Sequence, residues 1–260
     1  MIALIDDTGD PGTGGAGRPW FGYVSLAIPN AHIADAFAFR DKAATLMAGS
    51  SGRPENWHAA DRNLDDVFGT LHLMANEFGG WSWHAVLSNT TMSTRTTAEY
   101  IHDPSEHRYW VLLWLLERIS WLAEGRNEKA SVYVERCGAI NEPDLRDRYK
   151  RGLPRGRGAN QKYLEPDSIH IAEPSKMHLL NLADAIAYAV GKAVNPHPRR
   201  GETFPEYLRV VWPRVWVGPV WGNRSLGTNG FVLLPVGRRA EHLESLPFVT
   251  EWRESLGLKY

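Results

Sequence analysis

One acidic residue lies inside a stretch of chain whose composition is that of a buried helix. Asp184 interrupts the run 179–190, in which Asn181 is the only other polar residue. At helical spacing its neighbours include Leu180 and Tyr188, so its carboxylate points from a mostly buried face. An isolated charge in such a place is unfavourable, and the group should shift its pKa, find a partner or bind a cation.

Further acids end the runs that are predicted to form core strands. Asp6 and Asp7 directly follow the apolar run 2–5, and Glu135 ends the predicted strand 132–135. Carboxylates from a first strand, a later core strand and a final helix can meet at one edge of a sheet. Hard oxygen ligands suit Mg²⁺ or Mn²⁺, and sites with two such ions stabilise the attacking and leaving oxygens of phosphoryl transfer.

The same acids also have structural interpretations. An acid at the end of a strand is usually solvated or caps the next turn, which would account for Asp6, Asp7 or Glu135 taken singly. Asp184 could form a buried ion pair with an arginine such as Arg136. The residues alone therefore leave metal binding and a structural role open.

The elements that must position these acids alternate between strands and helices. Two predicted strands at 1–5 and 21–28 flank a glycine- and proline-rich turn, which indicates an antiparallel hairpin. Helices are then expected at 31–47, 65–78, 107–123, 141–149 and 175–194, and strands at 81–87, 130–135, 168–172 and 230–236. This order predicts an α/β fold with a mixed sheet flanked by helices. Beyond residue 196 the chain becomes rich in Trp and Arg, so we expect a core domain over 1–196 and an extension over 197–260 that packs on it.

Composition narrows the class of protein. The formal net charge is -1, so any surface that attracts a polyanion must be local. The single cysteine, Cys137, excludes an internal disulfide and is expected to be a small buried side chain rather than a nucleophile. No apolar run has the length of a signal-peptide core or of a membrane span. We therefore expect a cytoplasmic protein without a membrane partner.

Two basic segments are candidates for contact with nucleic acid. The stretch 149–163 carries five basic residues and no acid among several glycines, which predicts a mobile basic loop. Its candidate phosphate ligands are Lys150, Arg151, Arg155 and Arg157. The segment after residue 199 mixes arginines with tryptophans, for which we favour packing on the core, with a homodimer interface as the alternative.

Four motifs carry a resemblance to a known family. Residues 5–12 read Ile-Asp-Asp-Thr-Gly-Asp-Pro-Gly and resemble the Asp-Glu-Ser-Gly-Asp-x-Gly start of the bacterial domain-of-unknown-function family DUF3800. Residues 180–189 are similar to its Leu-Gln-x-Ala-Asp-x-x-Ala-Tyr-Ala helix, which Ser-Lys precedes here as well. The strand that ends at Glu135 is similar to the family's strand that ends in an acid. The pair His58-Ala59 matches the end of the family's Glu-x-His-Ala, although Glu55 is displaced by one residue from the acid of that motif. The resemblance covers residues 1–194 and implies an RNase H-like fold with divalent-metal phosphodiester chemistry.

This resemblance turns the acids into a predicted active site. The carboxylates expected to hold Mg²⁺ or Mn²⁺ are those of Asp6, Glu135 and Asp184. Asp7 would be a nearby fourth acid, and Lys176 or His58 would neutralise charge or transfer a proton. The predicted function is a metal-dependent nuclease acting on DNA or RNA. A non-catalytic module that binds nucleic acid or protein, and a metalloenzyme acting on a small molecule, remain as alternatives.

Overall fold

The sheet and its helices are described by a computed structural model that covers residues 1–10, 18–48, 57–61, 64–90, 103–152, 158–216, 230–234, 246, 248–249 and 251. The strands are β1 Ile2–Thr8, β2 Trp20–Ile28, β3 Ser82–Asn89, β4 Ser131–Glu135, β5 Ile169–Ala172 and β6 Phe231–Leu234. The α-helices are α1 Ile33–Ala48, α2 Leu64–Glu77, α3 Pro104–Arg126, α4 Glu142–Arg151, α5 Leu180–Val194 and α6 Pro205–Val211. Each predicted element has a counterpart here with shifted ends, whereas α6 has none among the predictions.

The six strands form one mixed sheet in the order β5-β4-β1-β2-β3-β6. Strands β1, β2 and β3 are an antiparallel meander, which confirms the predicted hairpin. On the other side of β1, β4 runs parallel to it and β5 runs parallel to β4, while β6 runs parallel to β3. The predicted α/β fold with a mixed sheet flanked by helices is confirmed. Its first five strands have the order and directions of an RNase H-like sheet.

Helices cover both faces of this sheet, so β1 is buried on both sides. Leu4 belongs to a core that includes side chains of α1, α2, α5 and α6. Ala3 and Ile5 belong to a second core formed with α3 and α4. Because successive side chains of a strand alternate between faces, β1 directs Asp6 towards α5 and Asp7 towards α3.

Helix α5 lies unusually close to β1, and two features hold it there. At Gly191 an added Cβ would overlap the Thr8 hydroxyl oxygen, so a residue without a side chain permits the approach. Just past the helix, the Asn195 amide accepts a hydrogen bond from the Trp20 backbone N–H and donates one to its carbonyl, each 3.0 Å long. The position of α5 over the first two strands is thereby fixed.

Two of the shifted boundaries involve predicted site residues. Helix α4, capped by Asn141 as predicted, continues through Lys150 and Arg151, so these residues form its last turn and not a mobile loop. Basic side chains suit that position because they face the negative end of the helix dipole. Helix α5 was predicted to begin at residue 175. Residues 174–179 instead form turns, and the helix begins at Leu180.

The described residues beyond 196 pack on the same core as the rest. Helix α6 lies beside α5 and α2, and the Trp83 indole donates a 2.6 Å hydrogen bond to the Val211 carbonyl. Trp212 is buried, Trp216 is half-buried, and Trp221 lies outside the described residues. Strand β6 extends the sheet beyond β3. Over the part of the chain that is described, no helix combines the length and the apolarity needed to cross a bilayer.

Candidate functional site

The structure brings three carboxylates to the same face of the sheet. Ile5 pairs with Val134 in the parallel ladder of β1 and β4, so Asp6 and Glu135 follow as neighbours on the next step. Asp184 reaches them from α5, which packs over that face. Burial raises the pKa of Asp6 well above its ordinary value, and the charges of Asp184 and Glu135 raise it further. The three side chains therefore form one electrostatically coupled cluster, which we call the acidic cluster.

Glu135 is the least supported member of the acidic cluster. Burial raises its pKa to about 7, the charge of Asp184 acts in the same direction, and His58 opposes both. Among the described residues, none gives its carboxylate a hydrogen bond or an ion pair. Glu135 is consequently free to change its rotamer and to take up or lose a proton near neutral pH.

Asp184 is held by two donors that the sequence did not indicate. Its Oδ1 lies 3.0 Å from Nδ1 of His58, and its Oδ2 accepts a 2.6 Å hydrogen bond from the backbone N–H of Ala59. The suggested ion pair with Arg136 is wrong, because that guanidinium lies 3.2 Å from a carboxylate oxygen of Glu173. Asp184 is only 5% exposed, as its apolar surroundings in the sequence predicted.

The segment Trp57–Ala59 is fastened to α5 at a second point. Asn181, one turn before Asp184, donates a 2.6 Å hydrogen bond from its amide to the Trp57 carbonyl. Its own carbonyl accepts a 3.3 Å hydrogen bond from Arg40 of α1. In the sequence, Asn181 is noticeable as a polar residue within an apolar run. No sequence pattern indicated that Arg40 would be its hydrogen-bond partner.

His58 is the exposed member of this arrangement. Its imidazole is 59% exposed, and its hydrogen bond to Asp184 raises its pKa to about 9. Nδ1 is occupied by Asp184, so Nε2 is the ring nitrogen left for another molecule. At neutral pH His58 therefore presents a positively charged imidazolium.

A cavity of about 360 Å³ lies beside the acidic cluster. It is partly open to solvent, and its walls are formed by Trp57, His58, Glu135, Glu173, Pro174, Ser175, Asn181 and Asp184. Asp6 is absent from these walls and lies behind them, 7% exposed, with one oxygen accepting a 2.8 Å hydrogen bond from the Asp7 backbone. A small molecule or part of a polymer entering the cavity would meet Glu135, Asp184 and His58.

The other predicted site residues lie elsewhere. Asp7 is directed to the opposite face of the sheet, where its carboxylate lies 3.5 Å from the Arg108 guanidinium, so it does not join the other acids as a fourth ligand. Burial raises its pKa and Arg108 opposes that shift. Lys176 is exposed on the turn next to Ser175, at the rim of the cavity.

The predicted phosphate ligands of α4 are remote from the acidic cluster. Glu142, at the start of α4, accepts a 2.7 Å hydrogen bond from Ile171 near the end of β5. Tyr149, near the end of α4, donates one of 3.1 Å to Leu164, which precedes β5. Lys150 and Arg151 therefore lie near the start of β5, whereas Glu135 lies beside the end of that strand. Arg155 and Arg157 lie outside the described residues.

The acidic cluster fits a hard divalent cation in chemistry and charge. Its donors are carboxylate oxygens, each with a lone pair to spare, and a bound cation would offset the mutual repulsion that raises the pKa of Asp6 and of Glu135. In this conformation no group of three His, Cys, Asp or Glu side chains among the described residues is arranged to hold a metal ion. Binding would require movement, and the unpartnered Glu135 is the side chain that can supply it.

Comparison with known proteins leaves the family open. The resemblance to DUF3800 rests on motifs that contribute Asp6, His58, Glu135 and Asp184 to the arrangement described above. No protein-family model matches this chain, and no similar protein was found among curated sequences or solved structures.

Proposed function

We propose that this protein is a divalent-metal-dependent hydrolase of phosphodiester bonds, that is, a nuclease. The observation that carries the proposal is the convergence of Asp6, Glu135 and Asp184, from three separate elements, beside an open cavity. Carboxylates gathered in this way repel one another, and a bound cation offsets that repulsion. Oxygen donors of this kind favour Mg²⁺ or Mn²⁺.

The chain's own residues have distinct tasks in this proposal. Asp6, Glu135 and Asp184 would hold the ion, and the two donors on Asp184 would fix the orientation of its carboxylate. A divalent cation held there supplies Lewis-acid stabilisation of phosphoryl oxygens and lowers the pKa of a bound water. His58 faces the cavity and is suited to donating a hydrogen bond to a phosphoryl oxygen, or a proton to the leaving oxygen, from Nε2.

A second candidate is a metal-dependent hydrolase of small phosphorylated molecules. The size of the cavity favours it, because a volume of about 360 Å³ lies within the range of small-ligand pockets. The two candidates share the acidic cluster and differ in whether a polymer can reach it.

The test is cleavage of labelled DNA and RNA oligonucleotides with Mg²⁺ or Mn²⁺, comparing wild type with Asp6→Asn, Glu135→Gln and Asp184→Asn. We expect each substitution to lower the rate by about 100-fold or more, as the loss of one transition-state contact does. Asp167→Asn, on an exposed side chain before β5, makes the same change of charge and should leave the rate unchanged.

Equal cleavage by all variants would place the activity outside this site and refute the proposal. If wild type cleaves small phosphate diesters or monoesters but no oligonucleotide, the second candidate replaces the first. Inactivity on every substrate with both metals would refute both candidates.

A further inference from the structure

Beyond Asp184, helix α5 carries two polar side chains along the same ridge. Tyr188 and Lys192 follow at intervals of four residues, so they lie on the face that carries Asp184, about 6 and 12 Å further along the helix axis. Both are half-buried, and the Lys192 ammonium stands 5.0 Å from the centre of the Tyr188 ring. The ring therefore supports the ammonium at a defined place two turns from the acidic cluster.

The fold brings a second cation to the far end of this ridge. Asn195, which follows α5, is hydrogen bonded to both backbone groups of Trp20. Arg18, two residues before Trp20, is thereby held near Lys192, three residues before Asn195. Burial lowers the pKa of Lys192, and the charge of Arg18 lowers it further, as expected for neighbouring cations.

These two cations lack an anionic partner in the part of the chain that the structure describes. No carboxylate there lies within ion-pair distance of Arg18 or Lys192. Other basic residues of the described chain do form ion pairs with Asp or Glu. Two like charges held close together favour an anion from outside the molecule. Tyr188 lies between Asp184 and Lys192 on α5 and contacts the Lys192 ammonium, so the ridge is continuous from the acidic cluster to that cation.

We propose that Arg18, Tyr188 and Lys192 form a docking row for one single strand of nucleic acid, which leads along α5 to the acidic cluster. The inference rests on the proposed function in so far as the strand's scissile bond would lie at the carboxylates. Basic side chains next to aromatic rings are typical of protein surfaces that bind single-stranded nucleic acid. The 12 Å of helix axis correspond to about three nucleotides at the stacked spacing of about 3.4 Å.

The position of the row also favours one strand over a duplex. Its members lie on a single ridge, one behind the other, and a duplex would require cations spread across both of its backbones. The turn that carries the exposed Arg199 and Arg200 adjoins the same helix end, where the Phe204 N–H donates a 2.8 Å hydrogen bond to the Lys192 carbonyl. Further phosphates would therefore meet positive charge beyond the row.

The test is fluorescence anisotropy with a labelled single-stranded oligonucleotide in EDTA, so that binding is measured without cleavage. We expect the double substitution Arg18→Gln and Lys192→Gln to weaken binding at least tenfold. The logarithm of the binding constant falls with the logarithm of the salt concentration, and this fall should become less steep by about 1.4 in slope. That change corresponds to the loss of two phosphate contacts on a single strand. Circular dichroism and thermal unfolding establish that each variant is folded. The single substitution Arg18→Gln changes an exposed side chain and therefore leaves the packing of the core unchanged.

A control of equal charge is Lys42→Gln with Lys129→Gln, two exposed lysines that pair with glutamates elsewhere. It should bind within about twofold of wild type. A third variant, Lys150→Gln with Arg151→Gln, measures the basic end of α4. If this third variant loses binding while the Arg18 and Lys192 variant keeps it, the docking row is refuted.

The outcomes separate this inference from the proposed nuclease activity. Loss of binding in the Arg18 and Lys192 variant supports the row even if wild type cleaves nothing, and the protein would then be a binding module. Unchanged binding and unchanged cleavage in that variant refute the row while the nuclease proposal stands.

Discussion

The three carboxylates of the acidic cluster receive unequal support from their surroundings. Asp184 has two hydrogen-bond donors, Asp6 has the Asp7 backbone, and Glu135 has no partner among the described residues. Burial raises the pKa of Asp6 and of Glu135, and the charge of Asp184 raises both further. A cation that binds here would therefore displace protons chiefly from those two side chains.

The pH dependence of stability should reveal Glu135. Its pKa rises from 4.5 to about 7 on folding, so the folded state binds the proton more tightly than the unfolded chain. This contribution to stability is fully present below about pH 4.5 and is lost as the pH rises through 7. We expect Glu135→Gln to be more stable than wild type at pH 8, by about 1 kcal/mol after allowance for solvent screening, and the difference to shrink towards pH 5.

Urea unfolding of both proteins between pH 5 and pH 8 measures this difference. Asp167→Asn serves as the control, because it makes the same carboxylate-to-amide change on an exposed side chain away from the acidic cluster. A Glu135→Gln advantage that is larger at pH 5 than at pH 8 would contradict the assigned direction.

Metal addition should act on stability independently of catalysis. A cation that binds only the folded acidic cluster stabilises it by about 2.7 kcal/mol at a hundredfold excess over its Kd. We expect Mg²⁺ or Mn²⁺ to raise the thermal midpoint of wild type and to leave that of Asp6→Asn and Asp184→Asn nearly unchanged. A shift of equal size in all three proteins would mean that the ion binds elsewhere.

At the scale of elements, the segment Trp57–Ala59 and helix α5 act as one unit through Asn181 and Asp184. Asn181→Ala removes the hydrogen bond to the Trp57 carbonyl and leaves that buried carbonyl unsatisfied. We expect a loss of about 1–3 kcal/mol in unfolding free energy. The loosened segment should also allow the His58 pKa to fall from about 9 towards its ordinary value, as followed by NMR titration.

Asn141→Ala is the matched control for this substitution. It removes the N-cap of α4 and should cost about 1 kcal/mol without moving the His58 titration. If both variants leave His58 unchanged, Asn181 does not govern its position.

The close contact of α5 with β1 gives a second expectation at this scale. Gly191→Ala places a methyl group against Thr8 and should destabilise the fold by about 1–3 kcal/mol, as overpacking does. Gly125→Ala in α3 is the matched control, since nothing lies near its Cβ position and alanine favours a helix. Thermal unfolding compares the two, and equal midpoints would show that α5 can move away from β1 at little cost.

Elements were easier to predict from the sequence than their partners. The apolar helical run placed Asp184 correctly at a buried position, and the apolar run 2–5 placed Asp6 correctly on the first strand. The donors on Asp184 come from His58 and Ala59, more than a hundred residues earlier, and no local pattern carries such a contact. The end of α4 was missed because its basic composition resembles that of a loop, although it also satisfies a helix dipole.

At the scale of the whole molecule, β1 is a protected central strand. It has a neighbour on each side in the sheet and a helix layer on each face, whereas β5 and β6 are the outer strands in the described order. We expect hydrogen exchange to be slowest for the amides of β1 and β2 and clearly faster for those of β5 and β6. Mass spectrometry of peptic fragments measures these rates, and faster exchange in β1 than in β5 would contradict this arrangement.

The location of the acidic cluster has a consequence for the order in which the protein is made. Asp6 is translated first and can join a hairpin with β2 at once, but the strand that brings Glu135 follows more than a hundred residues later. Helix α5 follows later still. Until β4 has been synthesised, one edge of β1 has no neighbour, and until α5 follows, the three carboxylates are not gathered. A chain whose synthesis stops before residue 184 thus contains the first acids of the cluster and cannot assemble it.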